Sequence, residues 1–204
     1  MRHGETDWNK QWKLQGSCDI PLNENGEKMA GKTAEGFVRD GIRFDMIFSS
    51  PLIRAKRTAE IMRQMAGNAD CGIVTDPRLR EISFGIYEGM EKTKVPEEFS
   101  RFFKDPEHYV PAQGGESYPE AIERTGAFLR EVLFPYAERP ENAGKNVLIA
   151  GHGGMDETLI IQLGHMQIAD IWKGPFKNNC CITVFELADG DSVQLGDPYD
   201  YLGE

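Results

Sequence analysis

No apolar run in the chain approaches the roughly 20 residues of a membrane-spanning helix. The first residues also lack the apolar segment of a signal peptide. Basic residues are outnumbered: 23 Lys and Arg stand against 33 Asp and Glu, for a formal net charge of -10 and a pI near 5.0. Such a balance excludes nucleic acid or an anionic membrane as the expected partner. Cysteine is scarce. Cys18, Cys71, Cys180 and Cys181 form no Cys-x-x-Cys pair, and reduced thiols in a cytoplasmic protein are expected. Cys180 and Cys181 adjoin in an expected strand, which points their side chains to opposite faces and keeps them from sharing a metal. Neither His-x-His nor His-Glu-x-x-His spacing occurs, so no metal and no other cofactor is expected. Repeats, low-complexity tracts and domain boundaries are lacking too. The 204 residues suit one domain over 1–204 with a full core.

What the chain does have is concentrated at its start, in Arg2-His3-Gly4-Glu5-Thr6-Asp7-Trp8-Asn9. A guanidinium is a permanent cation with a planar fork of donors that matches phosphate oxygens. A neutral imidazole is a usable nucleophile near neutral pH. Gly4 permits a close approach or a turn closed to other residues. Together they suit attack by an imidazole nitrogen on phosphorus beside a fixed positive charge. An isolated Arg-His-Gly is equally a solvated surface pair, so other parts of a site must come from elsewhere in the chain.

Residues 11–22 have no sustained period and read as a loop. Asn23 is placed to cap a helix in which Met29, Ala30, Ala34, Phe37 and Val38 recur at helical spacing before Gly41. The short apolar run 45–49 reads as a buried strand, followed by a helix that starts at Ser50-Pro51 with a serine cap. Arg54 then lies one turn into a helix at the carboxyl end of a strand, where open α/β sheets bind ligands. Arg57, out of phase, is the solvated one. A second strand at 71–74 leads to an ordered loop, 76–89, in which Glu81 and Glu88 are candidate acids.

Residues 96–104 read as a short helix whose Phe99, Phe102 and Phe103 pack in the core rather than form a lid. Residues 111–115 form a linker. Ser117-Tyr118-Pro119-Glu120 matches a capping box ahead of a long amphipathic helix that ends before Pro140. The clearest strand, 146–150, runs into Gly151-His152-Gly153-Gly154 and another helix. The N–H groups at that helix start favour an anion. Residues 182–187 and 192–195 flank Asp189-Gly190-Asp191 as a hairpin.

Strands alternating with helices predict an α/β fold with three layers, α/β/α, and a mostly parallel central sheet carrying helices on both faces. The carboxyl ends of its strands would gather Arg54, His152 and, if it follows a strand, His3. Two fixed cations and two imidazoles repel one another unless an anion fills the space, and phosphate is that anion.

These motifs resemble the histidine phosphatase superfamily, in the branch of cofactor-dependent phosphoglycerate mutases and their related phosphatases. They are Arg2-His3-Gly4-Glu5-Thr6 with Asn9, Leu14-Gln15-Gly16, Asp19-Ile20-Pro21-Leu22, Ser49-Ser50-Pro51-Leu52 with Arg54-Ala55 and Thr58-Ala59, Leu79-Arg80-Glu81 with Gly85 and Glu88-Gly89, and Gly151-His152-Gly153. The resemblance covers residues 2 to 154, in order. It implies that His3 becomes a phosphohistidine and that Glu81 protonates the leaving group, then takes a proton from the hydrolytic water. It implies phosphate contacts from Arg2, Asn9, Arg54, His152 and the N–H of Gly153, and substrate contacts from Gln15 and Gly16. Three departures accompany it. The family's strand before Arg-His-Gly is represented here only by Met1, which suggests a missing start. Lys13 stands where relatives usually carry arginine. Asp156 and Glu157 are more acidic than the family norm and, facing the pocket, would weaken binding of highly anionic substrates.

Mutases carry a long arginine-rich insertion after the Glu81 region. Residues 90–114 here are short, and Lys92, Lys94, Arg101 and Lys104 are matched by Glu91, Glu97, Glu98, Asp105 and Glu107. The expectation is therefore a metal-independent phosphomonoesterase acting on a small phosphorylated metabolite. A phosphoglycerate mutase, or a catalytically weak module binding a phosphate ligand or a partner on this fold, remains the alternative.

Overall fold

The computed structural model describes residues 1–65, 70–174, 177–188 and 191–203. In chain order its elements are α1 (Asp7–Lys10), α2 (Glu24–Arg39), β1 (Met46–Ser49), α3 (Ile53–Met65), β2 (Gly72–Thr75), α4 (Arg101–Lys104), α5 (Tyr118–Phe128), α6 (Phe134–Ala137), β3 (Val147–Ala150), α7 (Gly153–Leu163), β4 (Phe185–Ala188) and β5 (Asp191–Gln194). Strands β2, β1 and β3 form a parallel sheet in that order, with Met46 opposite Gly72 on one side and Val147 on the other.

Alternation along β1 builds the layers. Ile47 faces a cluster with Ala30, Ala34 and Phe37 of α2 and Ala59 and Met62 of α3. Phe48, one residue on, faces Phe128 of α5 and Met155 and Leu159 of α7. Successive strand residues point to opposite faces, so two apolar neighbours place helices on both sides of the sheet.

The chain start extends this sheet. Arg2 bridges Gly151 in parallel, and His3 N–H donates to Gly151 O at 3.0 Å. On the other flank Arg2 N–H donates to Cys181 O and Cys180 N–H to Arg2 O, both at 3.1 Å. His3 thus occupies the carboxyl end of a strand position beside β3. Gly4 serves helix packing rather than a turn. A Cβ there would meet Gly26 O of α2 at 2.5 Å, so the two backbones touch with no side chain between them.

Several local expectations are modified. The helix after β1 starts at Ile53 instead of Ser50, because Asp19, from the loop before α2, accepts the Ile53 N–H at 2.7 Å. Ser50 Oγ takes the Leu52 N–H and faces His152 instead. The capping box at Ser117 and Glu120 is present. Its helix continues past Phe128 through one widened turn, Leu129–Leu133, into α6, which contains Pro135. A proline cannot donate to the carbonyl four residues back, and opening a turn ahead of it keeps the helix running. Cys180 is in a left-handed turn (φ 61°) and not a strand, and both adjacent cysteines are buried. β4 and β5 pair antiparallel as the hairpin requires, while its turn residues 189–190 lie outside the described residues. Among the described residues no helix is long and apolar enough to cross a membrane.

Candidate active site

Arg54 is the centre of the site and is fully buried. Its Nη1 donates to Cys18 O and its Nη2 to Gly16 O, each at 2.7 Å. Its Nε–H is shared between His3 Nε2 and His152 Nδ1, each at 3.2 Å. These contacts fix the imidazole tautomers. His3 Nδ1 lies 2.6 Å from Gly4 O. A carbonyl only accepts, so Nδ1 carries the proton and Nε2 holds a lone pair. His152 Nδ1 likewise faces a permanent donor, which leaves Nε2–H to donate to Ser50 Oγ at 2.8 Å. The two rings meet edge to face, with centroids 5.2 Å apart.

Burial, followed by the Arg54 charge, holds the pKa of both imidazoles well below the usual histidine value. Both are therefore neutral, and the His3 Nε2 lone pair is held by the Arg54 Nε–H. Burial also pushes the Arg54 guanidinium down to about 10, which still leaves it charged at neutral pH.

Glu81 reaches this group from the 76–89 loop. Its Oε1 accepts from the N–H of Ile82 and of Met155, both at 2.9 Å, and its Oε2 from Gly154 N–H at 3.2 Å. The first turn of α7 thus anchors the carboxylate, as helix N-termini do for anions. Asn9 completes a capping box with Thr6, accepting through Oδ1, so its NH2 group is the part left for the cavity it lines.

The cavity mouth was less legible. Arg2, His3, Asn9, Gln15, Gly16, Arg54, Glu81 and Gly153 line it as the sequence led us to expect. So do Lys13, Lys92, Lys177, Phe84, Phe102, Phe103 and Trp172. Phe102 is also a core residue, so packing and cavity wall are one role here. His152 is not among the lining residues: it is fully buried behind Arg54. Gln15 is 7% exposed, and its Oε1 has no hydrogen-bond partner among the described residues.

Lys92 makes no salt bridge with the acids of its segment among the described residues, whereas Lys94 pairs with Glu91 at 2.8 Å. Instead Lys92 Nζ sits 5.8 Å from the Trp12 ring and 5.7 Å from the Phe103 ring. Burial and the Arg2 charge lower its pKa. The acids after His152 turn away from the cavity. Glu157 is buried in an ion pair with Lys177, and Asp156 faces the Met1 amine at 3.8 Å. The cavity wall therefore carries five cationic side chains and one carboxylate in a protein whose net charge is -10. Among the described residues no cluster of His, Cys, Asp and Glu could hold a metal ion.

The profile described as the histidine phosphatase superfamily (branch 1) matches residues 1–196. An uncharacterized phosphatase, PhoE, of Bacillus subtilis (strain 168) is 37% identical over 166 residues, 80% of this chain and 75% of that one. A 2,3-bisphosphoglycerate-dependent phosphoglycerate mutase of Methylobacterium sp. (strain 4-46) is 32% identical over 184 residues, 85% of each chain. The solved structure of a mycobacterial glucosyl-3-phosphoglycerate phosphatase in complex with VO3 superposes with a TM-score of 0.83 at 26% identity, covering 96% of this chain and 95% of that chain.

Proposed function

The chain belongs to the histidine phosphatase superfamily, and from that premise we propose that residues 1–204 form one metal-independent phosphomonoesterase domain working through a phosphohistidine. One observation carries the reading. The proton of His3 is committed to Gly4 O, which leaves Nε2, beside the Arg54 Nε–H in a cation-lined cavity, as the nucleophilic nitrogen.

The steps follow from the groups present. A phosphomonoester enters with its oxygens toward Arg2, Arg54, the Asn9 NH2 and the Gly153 N–H. The Arg54 Nε–H turns from His3 to the anion, which frees Nε2. Nε2 forms a bond to phosphorus as the ester P–O bond breaks, and Glu81, having taken up a proton brought in with the ester monoanion, passes it to the departing alkoxide. Water then loses a proton to Glu81 and attacks phosphorus. The P–N bond breaks, and inorganic phosphate and neutral His3 are released. His152 supports Arg54 from behind and takes up positive charge once the phosphoryl group favours its protonated form. Guanidinium and backbone donors supply the charge stabilisation that a metal would otherwise give. Gln15 and Gly16 contact the part of the substrate next to the phosphate.

The cation-lined cavity favours a small phosphorylated metabolite, and relatives described as phosphatases support hydrolysis. The mutase reading gains support from Lys92, a cation at the mouth that its neighbouring acids do not neutralise. Phosphate release from a panel of phosphomonoesters, in the presence of EDTA and with His3→Ala as control, tests the proposal. Isomerisation of phosphoglycerate with little release would replace it with the mutase reading, and release abolished by EDTA would refute the metal-independent mechanism.

A further inference from the structure

Glu88 was one of two candidate acids in the sequence, yet it does not line the cavity. Its carboxylate is instead the knot between two loops. Oε1 accepts from Ser17 N–H at 2.8 Å, and from Ser17 Oγ, Ser83 Oγ and Phe84 N–H, each at 3.1 Å. Oε2 accepts from the Cys18 thiol at 3.0 Å. Every partner is a donor, so the ionised carboxylate is the form that fits.

The position of these donors gives the knot its meaning. Gly16, Ser17 and Cys18 are consecutive. The carbonyls of the outer two hold Nη2 and Nη1 of Arg54, while the N–H of the middle one is held by Glu88. The tripeptide is a clamp with its jaws on the guanidinium and its back on Glu88. Gly16 allows the arrangement: its φ is 52°, and a Cβ there would collide with the Glu88 carboxylate. On the other side, Ser83 and Phe84 follow Glu81 by two and three residues. One carboxylate therefore fixes the spacing between the segment that aims Arg54 and the loop that carries Glu81.

We propose that Glu88 is a positioning residue: it acts on the bound phosphate only through Arg54, by holding the 16–18 clamp in place. This deepens the reading above and rests on it only for Arg54 as a phosphate ligand. Its hydrogen bonds do the positioning, and its charge adds an attraction for the Arg54 guanidinium. A glutamine could place its amide oxygen where Oε1 now gathers four donors, and its NH2 could face the Cys18 sulfur.

Inorganic phosphate binding, measured by calorimetry, tests this without requiring turnover. Glu88→Ala is expected to weaken phosphate about tenfold, the size expected when hydrogen bonds to a charged group lose their alignment. Glu88→Gln is expected to stay within about threefold of wild type. In an Arg54→Lys background, where the fork is already lost, Glu88→Ala should change affinity less than about twofold, as double-mutant cycles show for groups acting through one another. Should Glu88→Ala not fold, Glu88→Asp, which withdraws the carboxylate by one methylene, takes its place in the same cycle. Penalties that multiply in the double variant, a Glu88→Gln protein as weak as Glu88→Ala, or wild-type affinity in Glu88→Ala would each overturn the proposal, as would wild type that binds no phosphate. A protein that binds phosphate with this pattern but hydrolyses no ester would refute the phosphatase reading and leave this one standing.

Discussion

The floor and the mouth of the cavity are built in opposite ways. On the floor, His3 and Arg54 follow strands, Glu81 docks on the first turn of α7, and backbone groups fix each of them, with His152 behind, held by Arg54 and Ser50. At the mouth, Lys92 rests against the rings of Trp12 and Phe103, and Trp12 and Trp172 lie in left-handed backbone, at φ 55° and 68°. Trp12 is 70% exposed. A floor made of directional bonds to the main chain suits a fixed chemical step. A mouth made of side chains on strained loops suits discrimination among leaving groups, because it can change without disturbing the floor.

Substitutions on either side of that division test it. The largest effect is expected at the nucleophile. His3→Ala should lose about 10⁴-fold or more in kcat and form no acid-labile phosphate, in line with removal of other enzymes' nucleophiles. Residual hydrolysis at wild-type rates would put the chemistry elsewhere. Arg54→Lys keeps a charge but loses the fork, and a drop of about 100-fold in kcat/KM is expected for loss of a donor to the transition state.

The folded, phosphate-free protein keeps His3 and His152 neutral at pH values where the unfolded chain protonates them. Their depressed values leave stability unaffected above the ordinary histidine pKa of about 6.5, and stability falls as pH drops below it, by about 1.4 kcal/mol per imidazole for each pH unit. Thermal unfolding from pH 7.5 to 5.5 should reveal this decline, and added phosphate should flatten it. A flat profile without phosphate would mean that neither ring is held neutral, and half the slope that only one is.

At the mouth the effects are smaller. Lys92→Met should raise KM about three- to tenfold for esters carrying a second anionic group and leave kcat unchanged, since the lost attraction acts equally on ground and transition states. A matching fall in kcat would join Lys92 to the floor and end the distinction. Smallest is Trp12→Gly, which relieves a left-handed non-glycine residue worth about 1–2 kcal/mol but loses the ring that faces Lys92. A net stability change within about 1 kcal/mol by denaturant titration is expected.

The same division explains what could be read from the sequence. The apolar run 45–49 gave away a buried strand, and Ser117 with Glu120 a helix start, because those signals are local. The floor residues stood beside glycines or at strand ends, where chemistry and backbone pattern coincide. Lys92, Lys177 and Trp172 carried no such mark. Lys177 is set by Glu157, twenty residues away, and Lys92 by a tryptophan eighty residues before it. The start of α3 was placed too early for a similar reason: its first N–H is held by Asp19, which no local reading of Ser50-Pro51 would include. His152, expected to contact the phosphate, lies with its ring buried against Arg54 and Ser50, a depth that a motif does not give.

Gly4 and Gly26 leave the nucleophile's neighbour resting on bare helix, main chain against main chain. Such a joint has no pliable cushion, because a close-packed interior passes displacement on instead of absorbing it. The first turn of α2 and the segment carrying residue 3 are thus one unit: any side chain larger than hydrogen at either glycine would push the two main chains apart.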